Sequence, residues 1–119
     1  MKTSAGQRGE ELAISFLQDQ GFQVVERNWR AGRNGEIDII GYDGEILVFV
    51  EVKTRSKRAM ERPLQAITPA KRRQMARLAT EYLYRRKLYG QTDCRFDVIG
   101  IEFGRGRHRV EHIRDAFRA

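Results

Sequence analysis

Charged side chains stand at the ends of two apolar segments, where carboxylates and a lysine could hold a metal ion and activate water. The segment EIDII carries Glu36 and Asp38, and ILVFV runs directly into Glu51 and Lys53. Like charges near a core are costly unless they are neutralised, and Mg²⁺ prefers carboxylate oxygens as ligands. A lysine beside such an ion could orient or deprotonate water, or stabilise charge on a phosphate. The pattern therefore predicts a divalent-metal site.

The turn between the two segments decides whether these side chains meet. If Asp43-Gly44 forms a two-residue hairpin turn, Glu36 lies opposite Glu51. Because side chains alternate along a strand, all four charged side chains then project from the same side. Asp38 and Glu51 would be diagonal neighbours about 7–8 Å apart, close enough to bind one ion. A three-residue turn would reverse the parity and place Asp38 on the opposite side from Glu51 and Lys53.

An ordinary surface hairpin is the alternative interpretation of the same residues. Glu51 and Lys53 would then form an exposed salt pair contributing about 0–1 kcal/mol. However, ILVFV is apolar at every position, which is typical of a central strand covered on both faces. Charges at the end of such a strand are not fully solvated, which favours the functional interpretation.

Helices and strands alternate around this hairpin. Ser4 is expected to cap a first helix that ends before Gly21, and Thr68 to cap a second helix closed by Gly90. The order helix, three strands, helix, strand indicates one α/β domain over residues 1–119. The buried face of the second helix is expected to contain Met75, Leu78, Ala79 and Tyr82. The predicted strands cover residues 22–29, 36–41, 46–54 and 95–103, with 107–113 as a candidate fifth.

The positive charge of the chain is concentrated in its second half. The net charge is +7, and residues 51–119 hold 18 Lys/Arg against 8 Asp/Glu. Arginine dominates, and its planar fork suits phosphate, so we expect a nucleic-acid partner. A basic surface that only maintains solubility is the alternative. The residues expected to bind nucleic acid are Arg30, Arg33, Arg55, Lys57, Arg58, Lys71, Arg72 and Arg73.

The composition also bears on the cellular compartment. No apolar stretch approaches the about 20 residues of a membrane span, and no secretory signal precedes the first helix. With Cys94 as the single cysteine, neither an intrachain disulfide nor a cysteine-rich zinc site is expected. We therefore expect a cytoplasmic protein without a membrane partner.

The hairpin resembles a known nuclease signature. Asp38, followed after the turn by Glu51-Val52-Lys53, resembles the PD-(D/E)xK motif of restriction-endonuclease-like proteins, with isoleucine in place of proline. More specifically, GQRGEELAISFLQDQGFQVVERNWR, GEIDII, FVEVKTR and RFDVI resemble YraN-type bacterial proteins, relatives of archaeal Holliday junction resolvases. That resemblance covers nearly the whole chain. It implies a restriction-endonuclease-like αβββαβ core, with a mixed sheet flanked by helices.

The resemblance also implies an activity and its residues. It implies an endonuclease that uses Mg²⁺ or Mn²⁺ to hydrolyse phosphodiester bonds in DNA, including branched or structured DNA. Asp38 and Glu51 would be metal ligands, and Lys53 the catalytic lysine. Glu10 matches an acidic residue on the first helix of resolvase-like proteins, and Gln65 matches a glutamine that helps to position their site. Because resolvase-like relatives act as dimers, a homodimer is expected.

Two residues and the overall function keep alternative interpretations. Glu10 is either close to the metal site or a solvated glutamate in a first helical turn, and Glu36 is either an accessory metal ligand or simply the start of a strand. The chain could instead be a non-catalytic nucleic-acid-binding module that assists a DNA-processing machine. It could also be a structural RNA-binding protein whose acidic cluster is neutralised by Lys53 and Arg55.

Overall fold

The computed structural model describes residues 2–56 and 67–118, which form one five-stranded sheet with a helix on each face. The strands lie in the order β1-β2-β3-β4-β5, and neighbours are antiparallel except β3 and β4, which are parallel. The predicted α/β class is therefore confirmed, as is a mixed sheet compatible with a restriction-endonuclease-like core. The elements are α1 (Ser4–Asp19), β1 (Gln23–Arg30), β2 (Glu36–Asp43), β3 (Ile46–Ser56), α2 (Pro69–Arg85), β4 (Cys94–Phe103) and β5 (His108–Phe117).

Part of the predicted site lies outside the described residues. Lys57, Arg58 and Gln65 fall within 57–66, outside the described ranges. Arg55 was expected in an irregular segment, but β3 continues through it because the strand pairs with β4 as far as Ser56. Within the described ranges, neither helix is long and apolar enough to cross a membrane.

The central position of β3 explains its uniformly apolar sequence. Residues 47–50 are fully buried, because β3 has a strand on either side and a helix on either face. Alternation sends Leu47 and Phe49 towards α2, and Val48 and Val50 towards α1. The expected buried face of α2 is confirmed, since its buried residues are Met75, Leu78, Ala79 and Tyr82.

The helix boundaries differ slightly from those expected. Thr3, not Ser4, caps α1: Thr3 is extended and its side chain accepts a hydrogen bond from the backbone N–H of Gly6. Thr68 caps α2 as predicted, accepting from the N–H of Lys71. The helix ends at Arg85 rather than near Gly90, because Lys87 already has a left-handed φ of 58°.

The turn between β2 and β3 lies one residue later than predicted. Gly44 and Glu45 form the two-residue turn, and Gly44 has the positive φ, 62°, that its first position requires. Asp43 remains in β2, where its carboxylate forms ion pairs with Arg95 of β4 and Arg114 of β5, at 2.8 and 2.9 Å. These cross-strand contacts hold Asp43 in the sheet.

The later turn shifts the strand register by two residues. The predicted opposition of Glu36 and Glu51 is therefore wrong. The last observed pair is Ile39 with Val50, and one further step along both strands brings Asp38 to Glu51. Because the shift is even, parity is unchanged, and Asp38 and Glu51 share the side predicted for them.

An opening forms where β2 and β3 separate. Their pairing ends at Ile39 and Val50, whereas β3 continues beside β4 through residues 51–56. We call the opening between residues 36–38 of β2 and 51–56 of β3 the fork. Side chains at the fork are accessible to residues from both helices, since no β2 backbone closes the gap.

Candidate metal centre

Four carboxylates from three elements converge at the fork: Glu10 of α1, Glu36 and Asp38 of β2, and Glu51 of β3. Carboxylate oxygens of the first three lie within 4.8 Å of one another. Glu10 is 4% exposed and Asp38 is 6% exposed. The structure thus supports the interpretation of Glu10 as a site residue over that of a solvated glutamate.

A close helix–strand contact brings Glu10 into the cluster. A Cβ atom on Gly9 would lie 2.3 Å from Oγ1 of Thr54 in β3, a distance that no packed side chain tolerates. Glycine therefore allows α1 to approach β3 at this turn. The next residue, Glu10, is carried over the fork by the same approach.

The backbone of β3 fixes the orientation of the Asp38 carboxylate. Its Oδ2 accepts a hydrogen bond of 2.8 Å from the N–H of Val52, where the regular ladder between β2 and β3 has already ended. The carboxylate thus satisfies a backbone donor that strand separation would otherwise leave unpaired. Its orientation is set by the same separation that opens the fork.

Glu51 lies beside Asp38, because one step beyond the pair of Ile39 and Val50 brings these two residues opposite each other. Burial, followed by the hydrogen bond and charge of Asp38, raises the pKa of Glu51 to about 8. Nζ of Lys71, at the start of α2, lies 2.9 Å from Oε2 of Glu51 and acts in the opposite direction. At neutral pH, Glu51 therefore retains a proton unless further positive charge arrives.

The ammonium group of Lys2 lies where three of the carboxylates converge. Its Nζ is 2.8 Å from Oδ1 of Asp38 and 3.0 Å from Oε1 of Glu36, and it also forms an ion pair with Glu10. Burial disfavours this charge, but the hydrogen bonds and attraction of Asp38 and Glu36 outweigh it and raise the pKa of Lys2. The position is thus one that favours a cation.

The donor set fits a divalent metal ion. All of its ligand atoms are carboxylate oxygens, which Mg²⁺ and Mn²⁺ accept, and the Lys2 ammonium shows that one cation can approach three of them together. Glu10, Glu36 and Asp38 would hold the ion, with Glu51 beside them. Lys53 follows Glu51 by two residues along β3 and is half-buried, so alternation directs it to the same side of the strand.

Comparison with known proteins identifies the family. A sequence profile described as "Uncharacterised protein family UPF0102" matches residues 9–101. The chain belongs to this family. It is 46% identical over 120 residues to a UPF0102 protein of Chlorobium phaeobacteroides, an alignment covering 94% of this chain and 92% of that protein. It is 47% identical over 121 residues to a UPF0102 protein of Symbiobacterium thermophilum, with both chains covered completely.

The match to the UPF0102 family includes most of the candidate centre. Residues 9–101 contain the four carboxylates and Lys53, whereas Lys2 lies before the matched region. Sequence reasoning did not identify Lys2. A lysine near the start of a chain has no distinctive spacing, and only the approach of α1 to β3 brings it to the carboxylates.

The predicted nucleic-acid-binding residues occupy different environments. Arg33 and Arg73 are exposed, while Arg30 is exposed but lies 3.4 Å from Glu36. Lys71 is paired with Glu51, and Arg55 with Glu111 of β5 at 3.3 Å. Arg72 donates from Nε to the carbonyl oxygen of Ile67 and extends over the ring of Phe117.

A groove along α2 contains two arginines that were not among the residues predicted to bind nucleic acid. It has a volume of about 530 Å³ and lies between the loop after β1 and the exposed side of α2. Its lining includes Gly32, Asn34, Arg77 and Arg85, and Arg85 is paired with Glu81 of the same lining at 2.8 Å. Gln74 joins its two walls by donating to the carbonyl oxygen of Asn34. The helical spacing of Arg77 and Arg85 was the sequence signal that could have indicated this surface.

Proposed function

We propose that this protein is a metal-dependent endonuclease that hydrolyses phosphodiester bonds in DNA. One observation carries the proposal: carboxylates from α1 and β2 converge on a single cationic group, and a third element, β3, adds Glu51 and then Lys53. A purely structural ion pair needs one carboxylate for each cation, so this excess of acidic ligands supports metal binding.

Each residue has a definite role in the proposed reaction. A bound Mg²⁺ or Mn²⁺ would supply positive charge to the phosphate undergoing attack. Asp38, Glu10 and Glu36 would hold that ion, and Glu51, as a deprotonated carboxylate, would be an additional ligand beside them. Lys53 donates hydrogen bonds at the reacting phosphate and stabilises the negative charge that develops there.

The arrangement supports membership of the PD-(D/E)xK superfamily, with relatives among the Holliday junction resolvases. Asp38 and the Glu51-Val52-Lys53 triplet meet across the fork, and Glu10 approaches from the preceding helix. Arg33, Arg73 and Arg77 are exposed and would contact phosphates. On this basis we propose DNA as substrate, branched DNA included, and a homodimer that cuts two strands.

Cleavage assays test this proposal directly. Supercoiled plasmid, a four-way DNA junction and an RNA of matching sequence are incubated with the full chain and Mg²⁺ or Mn²⁺. Asp38→Asn and Lys53→Met should each lower the cleavage rate by about 10²-fold or more. Asp19→Asn and Lys87→Met change the same types of residue at exposed positions and should cleave as the wild type does. Cleavage that survives both site substitutions would contradict the mechanism.

A non-catalytic nucleic-acid-binding module is the second candidate function. The observation favouring it is that Lys2 and Lys71 already provide ion-pair partners for all four carboxylates. This function predicts salt-sensitive binding to nucleic acid that is the same with Mg²⁺ and with a chelator. Calorimetric titration of Mn²⁺ distinguishes the two functions. Only the endonuclease requires Mn²⁺ to bind at the fork, and Asp38→Asn should abolish that binding.

A further inference from the structure

The side chain of Lys2 occupies the space that the proposed metal ion needs. Its ammonium group forms ion pairs with Glu10, Glu36 and Asp38, whose oxygens lie within 4.8 Å of one another. These are the three carboxylates that could hold one ion together. An ammonium and a divalent ion cannot share so small a space, because they repel strongly at contact distance.

The position of Lys2 in the chain allows it to leave without unfolding the domain. It precedes Thr3, the residue that caps α1, and therefore lies outside the helix. The Lys2 side chain is 24% exposed, against 5% for Glu10 and 8% for Asp38. Rotation of the lysine away from the fork would therefore leave α1, β2 and the carboxylates in place.

We propose that Lys2 is a displaceable internal counter-ion, so that metal binding at the fork requires the release of its ammonium group. The inference rests on the proposed function, because it concerns the same metal site. In the metal-free protein, Lys2 offsets part of the negative charge of the three carboxylates and keeps the site assembled. Metal ions must compete with Lys2 for the carboxylates. The site therefore binds metal only at concentrations high enough to displace the Lys2 ammonium group.

Calorimetric titration of Mn²⁺ into the full chain, tagged at its C-terminal end, measures this competition. Lys2→Met should bind Mn²⁺ about tenfold more tightly than the wild type, a change equivalent to about 1.4 kcal/mol. Lys2→Arg keeps the positive charge and should bind weakly. Lys87→Met is the matched control at the far end of α2 and should equal the wild type. Equal affinity in the wild type and Lys2→Met would overturn the inference.

Amine footprinting tests displacement without relying on a variant. Acylation of Lys2, read by mass spectrometry, should be slow in a chelator and become several-fold faster when Mg²⁺ or Mn²⁺ saturates the site, while acylation of Lys87 stays constant. Metal binding that leaves Lys2 protected would overturn the inference. So would the absence of Mn²⁺ binding in both the wild type and Lys2→Met.

These measurements separate the inference from the proposed function. If Mn²⁺ exposes Lys2 but no DNA substrate is cleaved, the counter-ion exchange stands and the endonuclease proposal fails. If DNA is cleaved through Asp38 and Lys53 while Lys2 remains protected, the endonuclease proposal stands and the inference fails.

Discussion

The sheet contains two buried acidic clusters that are built differently. Between β4 and β5, Asp97 is completely buried, and donors surround it. Its oxygens accept hydrogen bonds from Arg95 at 2.9 and 3.2 Å and from the N–H of Asp115 at 2.9 Å, and Nε2 of His112 lies 2.8 Å away. Burial alone would raise the pKa of Asp97, but His112, Arg95 and the Asp115 N–H outweigh it and lower the pKa.

The fork reverses this relation between donors and acceptors. Four carboxylates are held there by the ammonium groups of Lys2 and Lys71, and Glu51 has a pKa raised to about 8. One carboxylate surrounded by donors is a stable part of the sheet. Several carboxylates with too little positive charge form the metal site that we propose. On that proposal, the balance of charge, rather than the presence of buried acid, distinguishes the two clusters.

The largest effect should follow from breaking the structural cluster. Asp97→Ala removes the fully buried carboxylate that Arg95, His112 and the Asp115 N–H share, and we expect the free energy of unfolding to fall by about 3–5 kcal/mol. Urea denaturation monitored by circular dichroism measures it. Asp38→Asn in the presence of a chelator is the comparison and should cost much less, because it also relieves repulsion at the fork. Similar losses in the two variants would contradict the distinction.

The pH dependence of the free energy of unfolding should show that Glu51 at the fork takes up a proton on folding. Folded Glu51 keeps its proton up to a pH of about 8, whereas an unfolded glutamate loses it near 4.5. Between these values the folded state binds more protons, so its free energy of unfolding falls as pH rises, by roughly 1 kcal/mol per unit.

Urea denaturation from about pH 5 to pH 8 in a chelator measures this slope. Glu51→Gln should flatten it, and Glu45→Gln in the exposed turn should leave it unchanged. If Glu51→Gln had the same slope as the wild type, the titrating group would be a residue other than Glu51.

A smaller effect should follow from pushing α1 away from the fork. In Gly9→Ala the new methyl group meets Thr54, which should lower the free energy of unfolding by about 1–3 kcal/mol. Because Glu10 moves with the helix, the affinity for Mn²⁺ should also decrease. Gly104→Ala is the matched control, since its methyl group would meet nothing within 4 Å. Unchanged Mn²⁺ binding in Gly9→Ala would show that Glu10 is not a ligand.

The smallest effect should appear in the salt dependence of DNA affinity when an arginine near one or the other cluster is replaced. Arg73→Gln, on the first turns of α2 near the fork, should reduce the slope of log affinity against log salt by about 1. Arg118→Gln, which removes the 3.0 Å contact to Asp115 near the structural cluster, should leave that slope unchanged. Fluorescence anisotropy at several salt concentrations measures both. Equal slopes in the two variants would contradict the placement of DNA at the fork.

Local patterns in the sequence predicted most of the fold. The apolar run of β3, the Thr68-Pro69 start of α2 and the periodic face of α2 each depend on neighbouring residues, and each is confirmed. The register of the hairpin was not predicted correctly. It depends on Asp43 binding Arg95 and Arg114, which are distant in the chain.

Strand alternation correctly predicted the part of the candidate site that lies on β2 and β3. Asp38 and Glu51 share a side because alternation survives an even shift in register. Glu10 remained ambiguous and Lys2 was missed, because their positions depend on how closely α1 approaches β3. That distance is set by the absence of a side chain at Gly9, a tertiary effect that helical periodicity does not reveal.

The parallel pairing of β3 with β4 has a consequence for folding. The hairpin of β2 and β3 can form early, since its contacts are local. Among the described strands, the half of β3 that carries Glu51 and Lys53 pairs with β4 alone. Parallel strands need a long crossover, which here includes α2, and such non-local contacts form slowly. We expect the four carboxylates to come together late, so that a nascent chain completes its sheet before it can trap a metal ion.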